Sequence, residues 1–272
     1  MATFPLPSTS LRPKSMKSTV YCLFGALFAL TSACKKEPVA FNPEACSAPF
    51  VAPVLADAYR YPLRPGTAAW AQLRTGQQML DTCQLPPAVL ATISTPGLVE
   101  TCLEYPLLPD IFARTVEYHG MQSLLQRFNG LVELQRRPDA AAVLLARYQR
   151  MGAGCVPPTG QAAYSFAFGY VEYWLAHEPV VQQLSAAQRR DLVREAVRKY
   201  DAKKPRTDDV YGVYGLKTAV FVMARVLHAA RYAPFEAALA ADPALGVFLA
   251  EANIQGRPQL LAPIVEQARK FQ

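Results

Sequence analysis

Proline stands at the head of one short segment after another in this chain, at Pro65, Pro87, Pro96, Pro106, Pro138, Pro234, Pro243 and Pro258. Its ring sets φ near the helical value and removes an N–H, so it suits the first turn of a helix and breaks a helix interior or a central strand. Apolar residues three and four apart follow most of these prolines, as Ala141, Leu144, Leu145 and Tyr148 do after Pro138. The pattern predicts serial helices, many of only about eight residues, which are marginal alone and depend on packing.

Read in order, Pro65-Gly66-Thr67 opens a segment with Trp70 and Leu73 on one face, and Thr75 caps a short helix ending at Cys83. Pro86-Pro87 starts the next, and Thr95-Pro96 caps and starts another. Further helices are expected over 106–116, 120–128, 130–136 and 138–151, the last with Arg147 and Arg150 pointing outward. Segment 164–177 also alternates like a strand at Tyr164, Phe166, Phe168 and Tyr170; its length favours helix. Ser185-Ala186-Ala187-Gln188 is a capping box, opening a helix to Lys203 with Leu192, Ala196 and Tyr200 inward and Arg189, Arg190, Arg194 and Lys199 solvated. Segment 214–228 is apolar nearly all round and reads as the central core helix, followed by helices over 234–241, 243–252 and 258–271. The fold expected is all-α, an irregular multi-helix bundle or an α-solenoid-like array of short helices, with no fixed-period repeat. It occupies 54–272 as a single domain, with an internal break at 152–159.

The first 33 residues differ from the rest. They carry Arg12, Lys14 and Lys17, no acid, and an apolar run over 20–30. Eleven helical residues rise about 16 Å, short of the ~30 Å hydrocarbon core, so the run reads as the h-region of a secretory signal. Met16-Lys17 begins a signal of ordinary proportions, leaving Met1 and Met16 as alternative starts. Leu30-Thr31-Ser32-Ala33-Cys34 resembles the lipobox of bacterial lipoproteins, with Thr31 where the strictest pattern has Leu. That resemblance implies lipidation of Cys34, cleavage before it, and an outer-membrane destination, since Lys35 replaces the aspartate of inner-membrane retention. The alternative is ordinary cleavage after Ala33. Residues 34–53 then read as a polar, proline-containing tether.

Removing 1–33 leaves 25 basic residues against 21 acidic, a net charge of +4 without a basic stripe, which argues against nucleic acid as a partner. Cys46, Cys83, Cys102 and Cys155 remain besides Cys34, an even set that an oxidising compartment permits to form two disulfides, with buried thiols as the alternative. No C-x-x-C pair occurs and His119, His177 and His228 are scattered, so neither a metal nor a cofactor is expected.

Motifs of catalysis fail in detail. Gly212-Val213-Tyr214-Gly215-Leu216-Lys217-Thr218 has two residues between its glycines and no preceding strand, unlike a phosphate loop. His177-Glu178 is followed by Pro179, with no second histidine at i+4. Three carboxylates in apolar surroundings, Glu104, Asp110 and Glu172, are the candidates for acid/base chemistry, against the structural alternative of capping or pairing with arginine. The aromatic set from Tyr164 to Trp174 is read as core instead of a sugar platform.

Glu100-Thr101-Cys102-Leu103-Glu104-Tyr105-Pro106-Leu107, Phe128-Asn129-Gly130-Leu131 with Arg137-Pro138-Asp139, and Tyr214-Gly215-Leu216 resemble a family of uncharacterised exported all-helical bacterial proteins, over roughly residues 60–270. The resemblance implies one helical domain and export, and no activity. The expected function is a membrane-anchored interaction or binding module of the bacterial envelope, lipid-tethered, facing an envelope protein or glycan. An envelope hydrolase using a buried carboxylate is the alternative.

Overall fold

A computed structural model describes residues 51–271. The signal, the lipobox with Cys34, Cys46 and almost all of the tether lie outside the described residues.

Short apolar periods punctuated by proline produce short helices. Among the described residues there are thirteen: α1 (Gly76–Thr82), α2 (Pro87–Thr92), α3 (Thr95–Leu103), α4 (Glu117–Arg127), α5 (Asn129–Arg136), α6 (Ala140–Arg150), α7 (Gln161–Ala176), α8 (Glu178–Gln183), α9 (Ala186–Lys203), α10 (Gly212–Ala229), α11 (Ala233–Ala241), α12 (Pro243–Glu251) and α13 (Leu261–Lys270). No strand occurs among them, so the alternating aromatics of 164–177 are helical, as their length argued. The capping boxes at Thr75 with Gln78 and at Ser185 with Gln188 are both formed, each satisfying two otherwise unpaired backbone donors.

Three local expectations are corrected. Ser94, not Thr95, caps α3, accepting from the Gly97 N–H, while the Thr95 hydroxyl turns to Asp139 (2.8 Å). Segment 106–116 is only a 3-10 turn at Leu108–Ala113, and the segment after Pro65 is a 3-10 turn at Trp70–Gln72. Arg147 and Lys199 point inward, not to solvent, with 4% and 3% of their surface exposed.

The core is built on α10. Eleven of its residues, Val220, Phe221 and Met223 among them, are buried, and it packs most extensively against α7 and α9, with α13 closing over the α9 side. A helix apolar on every side belongs inside the protein. The helical stretch Ala186–Ala229 holds an 18-residue window apolar enough to cross a membrane, and 67% of that window is buried within the fold. Helices α3 to α6 form a second group, joined to the core because α6 packs on α7 across the loop 152–159. Gly120 is demanded by a close backbone approach, since a Cβ there would sit 2.5 Å from the Ile111 Cα; a Cβ on Gly169 would require the Tyr214 side chain, 2.3 Å away, to shift.

Candidate functional site

The three carboxylates singled out by sequence part company in the fold. Glu104 is exposed at the end of α3 and pairs with Arg64 at 2.9 Å. Asp110, in the 3-10 turn, lines a hollow of about 360 Å³ beside Arg114, Ser123 and Arg127, and burial raises its pKa. Glu172 is sealed in α7, 0% exposed, where its Oε1 accepts from Lys203 Nζ (2.6 Å) and from the Tyr148 hydroxyl (2.6 Å), and its Oε2 accepts from the Thr218 hydroxyl. Neither the hollow at Asp110 nor the cleft described below holds two of the three.

Sequence reasoning missed the lysines beside Glu172. Lys203, also 0% exposed, donates to the Gly215 carbonyl (3.0 Å) and lies 4.8 Å from the centre of the Phe168 ring. Lys199 pairs with Glu195 (2.5 Å) and donates to the Met151 carbonyl. Burial lowers the pKa of both lysines, and their carboxylate partners oppose that shift. The signal was present: Lys199 and Lys203 stand seven and eleven residues after Leu192, on the same stripe as Ala196. Each buried charge has a partner and each carboxylate its donors, so the cluster reads as structural.

Cys83 and Cys102 follow the buried-thiol alternative. Cys83, at the end of α1, and Cys102, in α3, are buried free thiols, so neither enters the expected disulfides. Packing inside the helical core beside Tyr61 and Tyr105 leaves them as small apolar side chains. Burial pushes the Cys83 thiol up to about 11 and that of Cys102 higher still. Cys155, in the loop over 152–159, is not a free thiol.

Gly212, at φ +60°, turns the chain into α10, as the glycine pattern allowed without a phosphate loop. His177 joins α7 to α8, its Nε2 2.9 Å from Gln135 Oε1, and burial lowers its pKa. No group of three metal-binding side chains occurs among the described residues.

A larger concavity lies elsewhere, where α8, α9, α10, α11 and α12 meet. It encloses about 640 Å³, within the usual range of ligand clefts. Val181, Leu249 and Ala250 supply apolar wall, and Arg189, Arg225 and Arg231 supply cations. Arg225 crosses between helix ends: Nε donates to the Ala176 carbonyl (3.0 Å) and Nη1 to the Leu249 carbonyl (3.3 Å). Its Nη2 has Glu178 only at 3.9 Å, although the side chain is 19% exposed. Arg189 spends Nε on the Val181 carbonyl (3.2 Å). His228 holds Glu236 at 2.8 Å on the opposite rim. The cleft thus presents guanidinium donors with capacity to spare beside apolar surface.

No family model, no curated protein and no solved structure matches the chain.

Proposed function

We propose that this chain is an exported helical binding module of the bacterial envelope, held on the membrane by lipid on Cys34, with the α8–α12 cleft as its binding site. The observation that carries the reading is the cleft itself: about 640 Å³ of partly apolar concavity facing three arginines, while the candidate acid/base groups are dispersed and two of them are already paired. The basic, acid-free start, the brief apolar run and the small residues before Cys34 support export and anchoring. Several buried acyl chains, at about 0.8 kcal/mol per methylene, would hold the domain on a bilayer.

A photo-crosslinking residue at Ala250, exposed in the cleft, should capture an envelope component that the same residue at Ala88, on exposed α2, does not. Intact mass should show an acylated Cys34 as the first residue. Equal capture at both positions, or an unmodified terminus, would refute the respective half of the proposal. The hydrolase alternative rests on Asp110, which faces a hollow of about 360 Å³. Hydrolysis of glycan, peptide or ester substrates lost on Asp110→Asn would replace the binding reading with that one.

A further inference from the structure

The cleft contains a feature that packing does not require. Helix α10 ends in a Schellman motif: the Tyr232 N–H donates to the Leu227 carbonyl (3.0 Å) and the Arg231 N–H to the His228 carbonyl (2.9 Å). The residue that turns the chain is Arg231, at φ +50°, in the left-handed region where glycine is the unstrained choice. Its side chain is exposed and lines the cleft, where no ion pair or hydrogen bond to it occurs among the described residues. Ala252 and Gln255 also stand at positive φ, so what sets Arg231 apart is an exposed cation in the cleft without a partner among the described residues.

Two further guanidiniums face the same space. Arg225 and Arg189 are each fixed through Nε to a helix-end carbonyl, so their forks are oriented before any ligand arrives. Counting Glu178 and Glu236 against the three arginines leaves one net positive charge from these five side chains. A single carboxylate matches that balance better than a dianionic phosphate, and the guanidinium fork can hold it bidentately. Val181, Leu249 and Ala250 add an apolar wall, and the space over Gly246 is open, since a Cβ there would meet nothing within 4 Å.

We propose that the cleft binds a monocarboxylate with an apolar body, its carboxylate held by Arg189, Arg225 and Arg231 and its body on Val181 and Leu249. This rests on the cleft being the binding site proposed above. Two sources present that chemistry, the C-terminus of a peptide and a free aliphatic acid.

The experiment uses the purified full chain and calorimetric titration with octanoate, octanamide, acetyl-Ala-Ala-Leu as free acid and as amide, and inorganic phosphate. At least one acid should bind, with its amide tenfold or more weaker, and which acid binds identifies the source. Arg231→Gly should weaken that binding about tenfold while raising the melting temperature, a pairing that a merely structural arginine would not produce. Arg189→Gln should also weaken it, and Gly246→Phe should abolish it with the helical circular dichroism unchanged. Failure of both acids to bind, tighter binding of phosphate, or an Arg231→Gly variant that binds as the parent does would overturn the proposal. Amides that bind as well as acids, with Gly246→Phe abolishing both, would leave the cleft as a binding site and remove only its preference for carboxylate.

Discussion

Replacing Lys203 by methionine keeps the length of the side chain and removes its charge from a site with no exposure. Glu172 would lose the 2.6 Å ammonium contact and keep the hydroxyls of Tyr148 and Thr218, and the Gly215 carbonyl would lose a donor. Stranding one member of a buried ion pair costs on the order of 3–5 kcal/mol, because the remaining charge is neither solvated nor compensated. At about 2–4 °C per kcal/mol for a domain of this size, the melting temperature should fall by about 6–20 °C. The double variant Glu172→Met with Lys203→Met removes both charges, leaving the Tyr148 hydroxyl without its acceptor and the Gly215 carbonyl without the lysine donor, while Thr218 keeps that carbonyl at 3.3 Å; each lost partner costs about 1–3 kcal/mol. Measured by urea unfolding with circular dichroism as the readout, the two single variants and the double should show a coupling of about 2–3 kcal/mol. If Lys203→Met shifts stability by under about 1 kcal/mol, or the two singles simply add, the pair is not buried as described and the reasoning fails.

Gly120→Ala should destabilise the fold by about 1–3 kcal/mol, read as a lowered urea midpoint, because the added Cβ would meet the Ile111 backbone instead of a movable side chain. Above pH 10 stability should fall: burial raises the pKa of Tyr148, Tyr173 and Tyr214 and pushes Tyr170 up to about 12, so the unfolded chain releases those protons first and is favoured as pH rises. Lys199 and Lys203, lowered by burial, act in the opposite sense below 10.5, but the tyrosines outnumber them; absorbance at 295 nm should therefore rise together with loss of helix, and gradual titration of a folded protein would contradict this. Cys83 and Cys102 should resist iodoacetamide in native protein and react after denaturation, as judged by peptide mass; rapid native labelling would show that they are not sealed.

Local chemistry alone determined much of this chain. Proline with its missing N–H, the capping boxes at Thr75 and Ser185, and apolar residues three and four apart specify helices because those signals act within one turn of backbone. The same local logic placed 214–228 at the centre, since a segment apolar on every side must be covered on every side. It did not determine which polar groups would meet. Glu172, Lys203, Tyr148 and Thr218 come from four different helices, and Arg147 finds Glu100 from 47 residues away. The cleft is likewise invisible in sequence, because Arg189, Arg225 and Arg231 become neighbours only once α8 to α12 have packed, and read singly each is an ordinary surface arginine. Helix formation is decided between residues a turn apart, whereas a binding site is decided by which helix ends packing brings together.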